Sequence, residues 1–348
     1  MRAIERATSS GKALLAFAFL TLLAGVSGMA LSFVFLASSS RLDVIAGGAG
    51  FVAGSVLVAA GLVSIILLRP LPARSIPTTT SGHAAPAMSA QFVERWLTHF
   101  ERNRANRPEP DWHAPVTMAV EAMRPLVHSL EQFQLGDGGG PACLIAWDAE
   151  SFRSSSPGAR MLVDSWFAEE REHSRLLGAA VARFGGHCIQ SHWSFTAFCM
   201  TRKWLGVRFE LTVLLLTEMV STAYYRMLLR HGEDPALRSV CRLILRDEGG
   251  HVAFHRARLA ENVRTGRATY GKCWELWFRM LGFAAGSMLW VNHAPGLWAL
   301  GGRTTEFYRE VGLELARFVR RLRREAGAEG TRVTGTSRQS GAEAAVGF

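Results

Sequence analysis

Charge is missing from two long stretches of this chain. Residues 13–37 and 45–68 contain no Asp, Glu, Lys or Arg, and each run exceeds the roughly 20 apolar residues that span a bilayer core. A secretory signal peptide does not account for them, since its apolar region is about 7–15 residues and no second one follows. The runs therefore predict a transmembrane hairpin over residues 1–69. Arg2, Arg6 and Lys12 precede the first run, Arg69 and Arg74 follow the second, and only Arg41 lies between. The positive-inside tendency then places both ends, and the remaining chain, on the cytoplasmic face of the membrane.

Other absences narrow the chemistry. The five cysteines (Cys143, Cys188, Cys199, Cys241 and Cys273) include no Cys-x-x-Cys pair. That argues against a disulfide framework, a zinc ribbon or a rubredoxin-like electron relay, and fits a reducing compartment. The net charge of +10 comes with no nucleic-acid motif, so no nucleic-acid partner is expected. Attraction to anionic lipid headgroups is the simpler use of that charge. No run of alternating strands and no fixed-period repeat is present.

What is present is helical periodicity. Residues 70–90, with Pro70, Pro72, Pro77 and Pro86, read as an extended linker. Residues 91–325 then follow the period of a helix. Phe92, Trp96 and Phe100 share one face of a short helix over 91–104, which the prolines of 107–115 end. Candidate bundle helices follow at 118–135, 160–184, 205–229 and 237–263. Gly185-Gly186 stops the second; Asp234 as N-cap and Pro235 just inside open the fourth. Residues 273–300 are tryptophan-rich and read as a buried accessory helix, with a membrane-interface element as the alternative. Residues 306–325 form a basic amphipathic helix, suited to the outside of the domain or to a membrane surface. Residues 326–348 have the composition of a disordered tail.

Two Glu-x-x-His tetrads, Glu170–His173 and Glu248–His251, lie 78 residues apart. At that spacing on a helix the carboxylate and imidazole are neighbours, about 5–6 Å between Cβ atoms, and can bind one metal ion together. Both tetrads sit on apolar faces: Val163, Trp166 and Phe167 accompany the first, Cys241, Ile244 and Leu245 the second. Glu218 is the only carboxylate in the apolar run 211–220. An unpaired buried Glu is costly, and metal coordination removes the cost. One tetrad in a chain with 11 His carries little weight. Two of them, with a lone Glu between, point to a metal pair inside a four-helix bundle. Mixed carboxylate and imidazole ligands suit iron or manganese, whereas zinc prefers a closed tetrahedral site. Gly249 and Gly250 cost the fourth helix about 1 kcal/mol each, which suggests that something approaches closely there. Glu169 and Glu172 are expected to face away from the metals.

The order carboxylate, Glu170-x-x-His173, Glu218, Asp247-Glu248-x-x-His251 resembles the ferritin-like di-iron carboxylate superfamily over residues 115–265. That group includes ribonucleotide reductase small subunits, bacterial multicomponent monooxygenases, rubrerythrins and membrane-bound quinone hydroxylases. The resemblance implies an all-α fold: a ferritin-like four-helix bundle with accessory C-terminal helices, here preceded by the transmembrane hairpin. It implies that Glu170, His173, Glu248 and His251 bind two iron ions, or a manganese–iron pair, with Glu218 as a bridging or terminal carboxylate. The first bundle helix supplies one more ligand. Asp137 is favoured, at a separation from Glu170 similar to that in ribonucleotide reductase small subunits, and Glu131 is the alternative. The Gly-Gly-Gly-Pro after Asp137 departs from an ordinary helix. Asp247 is implied to orient a ligand imidazole, and Thr222 to stand near an oxygen pocket. Tyr225 or Tyr224 can supply a proton or an electron. His255, one turn beyond His251, is expected to support the ligands rather than join them.

The activity implied is oxidation of an organic substrate by O2, by hydroxylation or desaturation, with a separate electron donor. The membrane tether suggests a lipid or quinone-like substrate, and a homodimer is one assembly the chain allows. The alternative is a non-catalytic or protective protein that handles iron or scavenges peroxide.

Overall fold

The computed structural model describes residues 20–29, 31–32, 35, 41–68, 89–204, 206–265 and 270–327. Among the described residues every regular element is a helix, so the chain is all-α. Residues 13–19, 30, 33–34 and 36–37 of the first apolar run, the linker over 70–88 and the tail from 328 lie outside the described residues. The chain divides into two compact units, residues 1–85 with 283–294, and residues 86–282 with 295–348.

In the first unit, α1 (Arg41–Leu68) is 28 residues long and carries Asp43 in its first turn. Its backbone meets the helical residues 20–29 at glycines. A Cβ on Gly25 would lie 2.5 Å from the Gly54 carbonyl oxygen, and one on Gly54 would lie 2.7 Å from the Gly25 carbonyl oxygen. Small residues of this kind let two helix backbones touch. Val291 occupies the space over Gly48, where a Cβ would fall 1.9 Å from its Cγ2. The middle of the tryptophan-rich segment thus belongs to this unit, a correction to the reading of 273–300 as a bundle helix throughout. The side chains of much of the second half of α1 are outside the described set. Over the described residues alone, no helix is long and apolar enough to cross a membrane.

The second unit holds the periodic helices. α2 (Ala90–Ala105) is capped by Ser89, whose Oγ accepts the Phe92 N–H. It buries Trp96 and Phe100 in a core with Trp166, Phe167, Leu211, Leu214 and Phe254. α3 (Val120–Gln134) runs into a π turn over Leu135–Gly139. Two short helices, α4 (Ala149–Arg153) and α6 (Trp193–Trp204), flank α5 (Pro157–Arg183); neither is long enough for its periodicity to stand out. α7 (Val207–His231) follows. α8 (Pro235–Arg264) opens at Asp234, whose Oδ1 accepts the Leu237 N–H at 3.0 Å. α3 packs on α5, α5 on α8 and α8 on α7. Tyr224 of α7 closes the cycle, stacking on Phe133 of α3 with its hydroxyl 2.6 Å from Ser129 Oγ.

α9 (Lys272–Ala299) and α10 (Thr304–Gly327) are the last helices among the described residues. Phe307, Val311, Leu315, Phe318 and Leu322 of α10 are buried, and α10 packs on α7 and α8. Burial is worth about 1.5–3 kcal/mol for each such side chain. The apolar stripe therefore serves the domain, which selects the outer-helix reading over the membrane-surface one.

Candidate metal centre

Five of the expected ligands converge from three helices, and all five are buried: Glu170 and His173 on α5, Glu218 on α7, Glu248 and His251 on α8. His251 Nδ1 lies 3.1 Å from Glu170 Oε1, 3.3 Å from Glu218 Oε2 and 3.8 Å from Glu248 Oε2. His173 Nδ1 lies 3.7 Å from Glu170 Oε2 and 3.8 Å from Glu248 Oε1. Glu170, Glu218 and His251 present ligand atoms all within 4.8 Å of one another. Donors bound at about 2.0–2.2 Å to one ion stand about 3 Å apart, so this is a slightly expanded ligand set. His173 Nδ1 and Glu248 Oε2 have no hydrogen-bond partner. Such orphaned buried atoms are rare without a missing ion or water, and a cation would satisfy both. The residues, with Glu170, Glu218 and His251 at their centre, could hold a metal ion.

The sixth expected ligand arrives on the π turn. The Tyr225 hydroxyl donates to Asp137 Oδ2 at 2.8 Å. Gly138 has φ 143°, and a Cβ there would lie 3.0 Å from the Glu170 carbonyl oxygen. Only glycine allows this backbone to lie against α5, which explains Gly138 after Asp137. Glu131 is engaged elsewhere: it accepts the His187 backbone N–H at 3.3 Å and lies 3.7 Å from His128 Nδ1.

Each helix also orients the imidazole of the other. His173 Nε2 is 3.2 Å from Asp247 Oδ2, and His251 Nε2 is 3.0 Å from Glu169 Oε2. The outward placement expected for Glu169 is therefore corrected: it is 4% exposed. Its signal was available, since an acid precedes both tetrads, Glu169-Glu170 and Asp247-Glu248. Glu172 does face outward, paired with Arg175. Arg107, which no motif announced, joins the two outer acids: its Nη2 is 2.7 Å from Asp247 Oδ2 and 3.3 Å from Glu169 Oε1.

Burial and close charges shift the titration of the cluster's groups. Burial, then the charge of Glu218, holds Glu248 well above the carboxylate range. Burial and the neighbouring Glu170 push Asp137 up to about 7. Burial lowers the affinity of an imidazole for a proton, but the bond to Asp247 and the negative charge of Glu170 outweigh it and carry His173 up to about 10. For His251, Glu218 and Glu169 outweigh burial in the same way. Desolvated acids and bases each need a compensating charge.

The remaining expected residues sit at the edge of the cluster. Thr222 donates its hydroxyl to the Glu218 carbonyl oxygen at 2.8 Å. His255 is fully buried with its ring 5.0 Å from that of Trp166, whose indole N–H donates to Glu170 Oε1 at 3.0 Å. His255 thus packs against the indole that bonds a ligand. Gly250 is the close approach that the helix sequence hinted at, since a Cβ there would fall 2.3 Å from His99 Nε2; Gly249 has nothing within 4 Å. No family model, no curated protein and no solved structure matches this chain.

Proposed function

We propose that the helical unit is a ferritin-like bundle that binds two first-row metal ions, iron foremost, and is a membrane-anchored oxidoreductase using O2 on an organic substrate. Asp137, Glu170, His173, Glu218, Glu248 and His251 hold the ions. The observation that carries the reading is the paired imidazole arrangement. Each Nδ1 faces two or more carboxylates, while each Nε2 is tied to an acid of the opposite helix. Second ligand-orienting bonds of this kind are a regular companion of metal-binding histidines.

When bound, iron in a carboxylate and imidazole site supplies reversible one-electron chemistry and reaction with O2. The chain's own residues do the rest. Asp247 and Glu169 keep each Nδ1 turned inward. Tyr225 holds a proton on its hydroxyl at Asp137 and can pass it on. Trp166, Phe167, Phe100 and Phe254 exclude water from the α5–α8 side. The uncharged runs 13–37 and 45–68, flanked by basic residues, support a membrane hairpin with the bundle on the cytoplasmic face, and favour a lipid or quinone-like substrate.

Anaerobic reconstitution of the full-length chain with Fe(II), followed by O2, tests the activity. An absorption change together with oxidation of a co-purified lipid or quinone is expected. Iron accumulation far beyond two ions per chain would instead identify an iron-handling protein.

A further inference from the structure

α9 and α10 form a groove of about 420 Å³ lined by Arg279, Ala316, Val319, Arg320, Arg323 and Arg324. That volume lies within the roughly 300–1,000 Å³ of small-ligand sites. The neighbours of Arg279 and Val319 hold the two helices together. Phe278 stacks on Phe318 with ring centroids 5.2 Å apart and planes 23° from parallel, and Leu315 fills the space over Gly282. Four guanidinium groups thus share one concave surface. Glu275, bound to Arg323, is the one carboxylate paired with any of them among the described residues. Glu325, next to Arg324 in the chain, is paired with Arg256 of α8 instead. Arg320 and Arg324 stand four residues apart on α10, a spacing at which like charges destabilise a helix.

We propose that this groove binds the phosphate of an anionic membrane-lipid headgroup. The donors suit phosphate, because a guanidinium presents paired N–H groups in one plane that match two phosphate oxygens at once. Arg279, Arg320 and Arg324 are an excess of positive charge for one protein carboxylate and a match for a phosphate with its several oxygens. Ala316 and Val319 give the groove an apolar wall, against which the glycerol carbons of a headgroup can rest. The apolar stripe of α10 stays inside the domain, and its arginine face supplies the site.

The helix that carries Arg279 favours a lipid over a soluble phosphate. Arg279 is the last charged residue before a stretch, 280–300, without Asp, Glu, Lys or Arg. Within that stretch α9 enters residues 283–294, which group with the N-terminal unit and its uncharged run 45–68. Basic residues flanking an apolar membrane segment are where anionic headgroups are met. The choice of a lipid rests on the membrane-anchored reading above; the affinity of the groove for a phosphate does not.

The test uses the full-length chain in dodecyl maltoside micelles, titrated with dioleoylphosphatidic acid or dioleoylphosphatidylcholine and read by native mass spectrometry. The phosphatidic acid is expected to bind at least tenfold more tightly. R320A/R324A removes two exposed arginines and should lose at least tenfold of that affinity at an unchanged melting temperature. R309A/R321A removes the same charge from the same helix outside the groove, and should change the affinity less than twofold. Equal binding of the two lipids, or equal losses in the two double variants, overturns the site. Glycerol 3-phosphate binding the groove as tightly as phosphatidic acid overturns the lipid assignment in favour of a soluble phosphate ester. A single-stranded oligonucleotide that displaces the lipid at lower concentration overturns it in favour of nucleic acid. Recovery of the chain from the soluble fraction of lysed cells contradicts the membrane anchor, which the micelle titration leaves aside.

Discussion

Glu169 Oε2 and His251 Nε2 lie 3.0 Å apart, an acid of α5 fixing an imidazole of α8. Asp247 returns the arrangement by fixing His173 at 3.2 Å. Loss of such an outer bond typically costs 10–100-fold in metal affinity. Glu169→Gln and Asp247→Asn should each lower affinity in that range, acting on opposite members of the pair. Titration followed by Mössbauer or cobalt spectra should therefore show two inequivalent ions in each single variant.

Arg107 ties the two outer acids together, so its loss should loosen both imidazoles at once. Breaking a buried ion pair costs about 3–5 kcal/mol, and Arg107 is 9% exposed. Arg107→Met should lower the thermal stability of the iron-free chain and weaken both ions together. Arg107→Lys, which keeps the charge but not the fork, should recover part of each loss. A scanning calorimetry trace and an iron titration on the same preparations check this.

Metal uptake should release protons and grow tighter as pH rises. In the metal-free chain the surroundings raise the proton affinity of His173, to about 10, and of His251 and Glu248 well above their ordinary values. Burial and Glu170 likewise push Asp137 up to about 7. Ligands must lose their protons to bind metal, so proton release should accompany uptake. A pH indicator in weak buffer measures the release.

The same groups set the stability of the metal-free chain. A histidine raised to about 10 contributes stability in full below its ordinary pKa of about 6.5, and the contribution is lost as pH rises through 10. An aspartate raised to about 7 likewise favours the folded chain only while protonated. Stability of the metal-free chain should fall between about pH 6 and 10, and iron-loaded protein should show much less of this fall. Melting curves at a series of pH values, with and without iron, separate the two.

The tetrads were legible because a three-residue spacing fixes a shared helix face whatever surrounds it. Asp234 and the apolar stripe of α10 were legible for the same local reason. Glu169 was not: the residue before a ligand sits about 100° around the helix, and whether it meets solvent or α8 depends on tertiary packing. Arg107 comes from an irregular connection that has no period to read. The π turn was hidden because Gly-Gly-Gly-Pro ordinarily marks the end of a helix. Here it keeps Asp137 against α5, with Gly138 at φ 143°. The middle of α9 grouped with the N-terminal unit because apolar content alone does not say which apolar surface a helix covers.

Gly138→Ala is a direct check on that turn. The positive φ and the 3.0 Å approach to the Glu170 carbonyl should together cost about 1–2 kcal/mol and displace Asp137. A lowered melting temperature with weakened binding of one ion is expected; Gly249→Ala, in open space, should leave both unchanged or improve stability.

The most direct measurement is the iron content of the full-length chain, reconstituted anaerobically, desalted and analysed beside Glu170→Ala/His251→Ala. The proposal predicts two retained iron ions per wild-type chain and fewer than one in the double variant. No retained iron or manganese in the wild-type chain, or equal metal in both proteins, would contradict it.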